Sequence, residues 1–219
     1  MTVRVNVTLL VLALGSGACV STTVQEVREA TTGIESGESV VVLGRRHQAN
    51  DQTEDDFVSC VSNNLGNGRD KIGVMTQQAF VDALFPWFEP RIAPLSTGDL
   101  PELVSQPLLA EKLSSTGVRY VIWIEGTTER VDSTGSMTCS VTTTGFGCFG
   151  FLSWENDSSY EASIWDIRKG TTVGKISSDA SGTSFVPAVV VPVPFIARVQ
   201  ASACGSMADQ LKIFINNKT

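Results

Sequence analysis

The clearest pattern along the chain is a run of β-branched and aromatic residues from Val118 to Gly126, bounded by glycines. Apolar residues on both faces are typical of a buried strand, so this run predicts the centre of a sheet. Glu38–Gly44 has the same pattern and predicts a second buried strand that opens the fold. Tyr160–Ile167 and Thr171–Ser177 are predicted to be two further strands, joined by the turn at Lys169 and Gly170.

Helical spacing of apolar residues fills the intervals between these strands. It predicts helices over 54–65, 76–85, 107–116 and 198–215, with one more turn at 101–105. Thr53 and the acidic residues after it approximate a capping box, which marks the start of the first helix. A short strand at 71–75 and a ribbon over 127–141 complete the pattern. The fold class predicted is α/β (α+β): a single domain whose mixed, mainly antiparallel sheet carries packed helices.

The beginning of the chain has the layout of a signal peptide: Arg4, an apolar run Val7–Leu14, and small residues up to Ala18. This run is shorter than the roughly 20 apolar residues that span a bilayer. Small residues that end at Cys19 resemble the lipobox of bacterial lipoproteins, although Ser16 stands where leucine is usual. The resemblance implies a diacylated, palmitate-type anchor on that cysteine. Ordinary cleavage with secretion, and a signal retained as an anchor, are the alternatives.

The predicted organisation has three parts. Residues 1–18 form the signal peptide, residues 19–37 form a polar, lipid-anchored tether without a sustained period, and residues 38–219 form the α/β domain. Position 20 is not the aspartate that retains many lipoproteins in the inner membrane, so the lipobox resemblance implies an outer-membrane location that faces the periplasm. Within the domain, a Gly-rich hairpin over 137–154 and a Pro-rich apolar segment over 184–199 stand apart. Three prolines in that segment argue against a helix interior and a central strand.

The chain has five cysteines, and four remain if Cys19 carries lipid. An even number in an oxidising compartment favours disulfides, with three possible connectivities. Cys139 and Cys148 flank a Gly/Thr-rich turn, while Cys60 and Cys204 lie on the apolar stripes of predicted helices. We therefore predict the bonds Cys139–Cys148 and Cys60–Cys204. For the second pair, two buried free thiols are the alternative.

Two stretches resemble a group of envelope proteins. Leu113–Gly126 is similar to the helix, turn and strand, and Tyr160–Thr171 to the strand and charged Gly turn, of lipoproteins whose α/β domain is like the TolB amino-terminal domain or the curli-secretion lipoprotein. The resemblance implies a role in envelope assembly and protein contact, and its motifs contain no catalytic residue. Asp166, in the second stretch, is expected to fix the turn.

Charge and candidate chemistry narrow the function further. A net charge of −7, without a basic cluster larger than Arg45–Arg46, argues against nucleic acid as a partner. Gly145–Gly150 matches G-x-G-x-x-G, but no helix is predicted after it, so we expect a bent hairpin and no nucleotide. His47 is the only histidine, too few for zinc, and helix capping explains Glu54–Asp56. We predict no catalytic residue, metal or cofactor.

Packing over the sheet or helices is the first interpretation of the Pro-rich segment, and a partner-binding surface is the second, because exposed apolar patches usually mark interaction sites. The candidate residues of that surface are Phe185, Val189, Val190, Val191, Phe195 and Ile196. Membrane contact is the third interpretation of this segment. Loop aromatics could extend such an interface: Trp87, Phe88, Phe149, Phe151 and Trp154.

The favoured function is a non-catalytic outer-membrane or periplasmic lipoprotein that binds an envelope protein, or copies of itself as a homo-oligomer. It would contact the membrane through its lipid anchor. The alternative is a secreted small-ligand-binding protein or hydrolase with a site near His47.

Overall fold

The structure is a computed structural model that describes residues 19–45, 53–89, 93–94, 96–143, 145–192 and 194–217. The side chains of residues 142, 189 and 190 are outside this description. The predicted signal peptide and the loop histidine at position 47 therefore lie outside the described residues.

The described residues form strands and helices close to the predicted ones. The strands are β1 Val20–Arg28, β2 Ser39–Gly44, β3 Val74–Met75, β4 Val118–Thr142, β5 Gly145–Asp166 and β6 Thr171–Pro192. The helices are α1 Asp55–Gly66, α2 Gln77–Ala83, α3 Leu100–Val104, α4 Pro107–Ser115 and α5 Val199–Ile215, with a 3₁₀ turn at Thr97–Asp99.

One six-stranded sheet has the order β1-β6-β5-β4-β2-β3. Strand β2 is parallel to both of its neighbours, with Val40 opposite Val74 and Val42 opposite Ile122. These parallel pairs require crossovers, which α1 and the helices α2–α4 provide. Short connections join β4 to β5 and β5 to β6, so those pairs are antiparallel. The α/β class is confirmed, and the sheet is mixed and not mainly antiparallel, because β2 has parallel neighbours on both sides.

Residues 20–28 were predicted to belong to a tether, and this was wrong. They form β1, in which Val20, Val24 and the other even-numbered positions are half-buried up to residue 26. The Glu29 amide, just beyond the strand, donates to the Val173 carbonyl of β6 at 2.9 Å. Alternation is a strand signature. It was missed because the threonines at 22 and 23 were counted as loop residues, whereas threonine is enriched in strands.

The chain divides into two compact units. We call residues 22–128, 158–179 and 200–219 the core unit. The ribbon unit comprises residues 129–157 and 180–199, together with the described residues up to Ser21. Strands β4, β5 and β6 each contribute residues to both units.

Helices cover both faces of the sheet in the core unit. On one face, Val41, Trp123 and their strand neighbours pack against Phe80 of α2 and Leu109 of α4. Side chains alternate along a strand, so Val40 and its equivalents face the other side. There, α1 and α5 are joined by the disulfide Cys60–Cys204, with 6.2 Å between the Cα atoms. This is the second bond favoured from the sequence.

A buried ion pair holds the turn between β5 and β6. Arg119 donates from Nε and Nη2 to the two carboxylate oxygens of Asp166 at 2.9 and 2.8 Å. The amides of Arg168 and Lys169 donate to Asp166 Oδ1 at 2.9 and 3.1 Å. Burial acts to raise the pKa of Asp166, but the hydrogen bonds from Arg119 and the two amides outweigh it and lower that pKa from 3.8. Asp166 therefore fixes the turn, as expected.

Candidate interaction surface

The end of the β4–β5 hairpin is closed by the disulfide Cys139–Cys148, with 4.0 Å between the Cα atoms. This is the other bond favoured from the sequence. The Gly145–Gly150 segment opens strand β5, so no strand-to-helix turn exists there that could hold a pyrophosphate. Gly135 has a φ of 103°, and a Cβ at this position would lie 2.9 Å from the Phe151 ring. Glycine thus lets that aromatic ring lie across the neighbouring strand.

Strand β6 continues through Pro187 to Pro192, where the prolines were expected to exclude a helix interior and a central strand. This part of the strand can accommodate proline. The reason lies in the neighbouring strand: a Cβ at Gly182 would be 3.2 Å from the carbonyl oxygen of Cys19, which directly precedes β1. Both prolines therefore lie beyond the part of β6 that pairs with β1. A proline there removes no donor from that pairing.

The chain after β6 turns back on the strand. Phe185 and Phe195 exchange two backbone hydrogen bonds, at 2.9 and 2.8 Å, and their rings stack with centroids 4.8 Å apart. Beside them, Ser184 Oγ accepts a hydrogen bond from the buried Ala197 amide at 2.9 Å. The small residues Ser184 and Ala197 are therefore buried in this turn, whereas the two phenylalanine rings are partly exposed.

Four of the six predicted partner-binding residues have described side chains, and these occupy two environments. Val191 is 64% exposed, Ile196 is 58% exposed and Phe185 is 37% exposed. Phe195 is half-buried against Phe185. The side chains of Val189 and Val190 lie outside the described residues. The segment is thus part surface and part core, since Ala188 and Ala197 within it are buried.

Exposed apolar side chains concentrate in the ribbon unit well beyond this segment. Thirteen large apolar side chains are exposed among the described residues, and nine of them belong to the ribbon unit. They are Val131, Val141, Phe146, Phe149, Phe151, Leu152, Phe185, Val191 and Ile196. The unit's buried apolar residues are mostly small: Cys148, Ala180, Ala188, Ala197 and Val199. Large side chains are therefore left outside while small ones are packed inside.

Sequence reasoning found only part of this surface. It included Phe149 and Phe151, but it missed Val131, Val141 and Phe146 because their stretches were treated as Thr- and Gly-rich connections. The sequence does contain a signal for this surface: phenylalanines recur at every second or third position between the glycines of 145–151.

Two of the loop aromatics do not extend the surface. Phe88 is buried and packs edge-to-face on Phe80, with 5.0 Å between ring centroids. Trp87 is half-buried, and its Nε1–H donates to Gln106 at 2.9 Å. In the ribbon unit, Trp154 is half-buried beneath the guanidinium of Arg130, which lies 5.4 Å from the ring centroid.

The acidic start of α1 was expected to be a capping box, and this was wrong. Glu54 occupies the N-cap without a side-chain cap bond, and Thr53 Oγ1 donates to the Ile124 carbonyl at 3.0 Å. Glu54 instead accepts a hydrogen bond from Tyr160 Oη at 2.9 Å and one from the Thr128 amide at 2.8 Å. Burial raises the pKa of Tyr160 to about 12, and the carboxylate of Glu54 adds to this shift.

Other acidic residues do not gather into a site. Asp55 and Asp56 are exposed in the first turn of α1, where their negative charges interact favourably with the helix dipole. Among the described residues, no group of three or more His, Cys, Asp or Glu side chains is placed to hold a metal ion. No helix in the described part of the chain combines the length and apolarity that a membrane crossing needs.

Fold and surface together define an α/β protein with two disulfides, whose ribbon unit presents an apolar exterior. No protein family matches the chain, and no curated protein matches it. Solved structures that it resembles include two titled as PelC dodecamers from Paraburkholderia phytofirmans, one of them a variant, each 14% identical to this chain. The match to the variant covers 91% of this chain and 100% of that chain with a TM-score of 0.40. The match to the other covers 90% and 98% with a TM-score of 0.39.

Proposed function

We propose that this protein is a non-catalytic component of the bacterial envelope that binds a protein partner through the exposed apolar side chains of its ribbon unit. The observation that carries the proposal is the concentration of exposed apolar side chains on that unit. Contiguous exposed apolar surface is unfavourable in water and usually marks an interaction site. Aromatic residues are enriched in such interfaces, and Phe146, Phe149 and Phe151 supply them here.

The partner in this proposal is an envelope protein or a second copy of the chain, and the protein acts in envelope assembly. The resemblance of Leu113–Gly126 and Tyr160–Thr171 to TolB-like and curli-secretion lipoproteins supports that role. Lipid on Cys19 would hold the protein at the outer membrane. In support, Cys19 is exposed and has no disulfide partner, because the other four cysteines pair with each other.

Cross-linking followed by mass spectrometry in the native envelope tests the surface. Phe149→Asp and Val191→Asp each place a charge at a ribbon position that is 61% or 64% exposed. Leu108→Asp is the matched control, because Leu108 is 58% exposed on α4 of the core unit. We expect both ribbon variants to lose the cross-linked partner, whether another protein or a second copy, while the control keeps it and all three retain the thermal stability of the wild type.

Two results would contradict the binding surface: ribbon variants that keep the partner at the wild-type level, or a control that loses it equally. The anchor has a separate readout, the intact mass of the mature protein. The expected mass corresponds to a chain that begins at Cys19 and carries acyl groups. A mature chain of unmodified mass would remove the lipid anchor from the proposal and leave the binding surface standing.

A further inference from the structure

A cavity of about 240 Å³ lies in the core unit beside the carboxyl end of β2. Leu43 and Gly44 close that strand, and Trp123 lies opposite Leu43 on the parallel strand β4. Helix α2 contributes Val81, and the segment after it contributes Phe88. Ligands in open α/β sheets characteristically bind beside the carboxyl ends of parallel strands, so the cavity occupies a position suited to binding.

Trp123 is a lining residue of this cavity and carries an unused hydrogen-bond donor. The residue is only 4% exposed, and its Nε1–H has no acceptor among the described residues. Buried donors in folded proteins are nearly always paired, and an unpaired one requires an explanation. A ligand that brings its own acceptor would provide one.

The remaining walls restrict the chemistry of that ligand. Leu43, Val81 and Phe88 give the cavity apolar walls, and Gln77 and Gln78 of α2 add polar ones. The carboxylate of Glu89 is the one charged group among its described lining residues, so an anion is disfavoured. The volume lies below the roughly 300–1,000 Å³ of pockets for drug-sized molecules, which indicates a small ligand.

From these features we infer that the cavity binds a small, uncharged ligand with an apolar part and one hydrogen-bond acceptor for the Trp123 indole N–H. This inference is independent of the ribbon surface. The cavity lies wholly in the core unit, and binding there requires no protein partner.

Two molecules of nearly equal shape test the inference on the full, oxidised protein. Acetophenone carries a carbonyl acceptor, and α-methylstyrene replaces that oxygen with a methylene group. Indole N–H resonances followed by ¹H–¹⁵N NMR report the binding of each molecule. We expect both to shift the Trp123 resonance and acetophenone to bind about tenfold more tightly, because its carbonyl satisfies the donor. Equal affinities, or no shift with either molecule, would overturn the inference.

Variants separate the hydrogen bond from shape. Trp123→Phe keeps an aromatic ring and removes the donor. This variant should therefore bind acetophenone and α-methylstyrene with about equal affinity. Trp165→Phe is the control, because the Trp165 Nε1–H is also buried without an acceptor among the described residues, but Trp165 is not a lining residue of this cavity. The control should keep the tenfold preference. If both variants lose it alike, the effect is indirect and the inference fails. If Trp123→Phe does not fold, the wild-type titrations decide alone.

Discussion

The core unit and the ribbon unit place their large apolar side chains differently. In the core unit, helices cover both faces of the sheet, and the largest fully buried residues of the described chain, led by Trp165, Tyr120 and Tyr160, all belong to it. In the ribbon unit, the buried positions are mostly alanine, serine and cysteine, while four of the five phenylalanines are exposed. The core unit is thus stabilised by apolar surface that it buries within the chain. The ribbon unit keeps much of its apolar surface exposed, and burying that surface against a partner would stabilise a complex.

Each unit contains one disulfide, and we expect the largest difference in unfolding free energy between the units when these bonds are removed. Cys60 and Cys204 are 144 residues apart, so their bond restricts the unfolded chain far more than Cys139–Cys148, whose cysteines are 9 residues apart. Replacing both members of the first pair with alanine should cost about 5 kcal/mol of unfolding free energy, against about 2.5 kcal/mol for the second pair. Urea denaturation measures both. Equal losses would show that loop closure does not set the difference between the units.

Matched phenylalanine truncations test the contrast in burial. Phe80→Ala removes a fully buried ring of the core unit and should destabilise the protein by about 3–5 kcal/mol. Phe149→Ala truncates an exposed ring of the ribbon unit and should change stability by less than about 0.5 kcal/mol. Thermal and chemical unfolding report both values. A large loss for Phe149→Ala would mean that this ring supports the isolated fold and is not available to a partner.

The buried ion pair between Arg119 and Asp166 should also contribute more to stability than an exposed charge of the ribbon unit. Asp166→Asn should cost about 3 kcal/mol at pH 7, because it leaves the Arg119 charge, only 13% exposed, without its main partner. The folded-state pKa of Asp166 lies below 3.8, so its carboxylate contributes stability above that pH, and this contribution is lost as the pH falls through the lowered pKa.

The wild type should therefore lose stability below about pH 4, and its advantage over Asp166→Asn should shrink there. Unfolding curves between pH 7 and pH 2.5 measure this. Asp157→Asn changes an exposed aspartate of the ribbon unit and serves as the control, with little effect expected at either pH. An advantage of the wild type that stays constant in acid would contradict the assigned role of the Asp166 carboxylate.

The core unit was largely predictable from sequence, because its signals are local. The apolar stripes that predicted α1, α4 and α5 place Phe57, Leu113 and Met207 in the interior. The extension of β5 and β6 was not predictable in the same way. Glycines from Gly145 to Gly150 weaken the strand pattern in β5, and Pro187 weakens it in β6, so only pairing between residues distant in sequence makes these segments strands.

The surface was partly predictable for a related reason. Hydrophobicity marked the stretch that contains Val191 and Ile196, but it could not separate these exposed residues from the buried Ala188 and Ala197. That separation depends on the turn formed by Phe185 and Phe195, whose pairing places neighbouring side chains on opposite sides. The Trp123 cavity was not predicted at all, because it depends on the packing of α2 against two strands.

The bond between Cys60 and Cys204 also has a consequence for biosynthesis. A chain that enters an oxidising compartment from its amino end exposes Cys60 long before its partner arrives, since 144 residues separate the two. Cys139 and Cys148 meet that compartment in between. For correct maturation, Cys60 must remain reduced until α5 brings Cys204 into that compartment. If Cys60 bonds to Cys139 or Cys148 first, that disulfide must later be exchanged. Such a chain would depend on a thiol isomerase during export more than one whose cysteines pair in order of arrival.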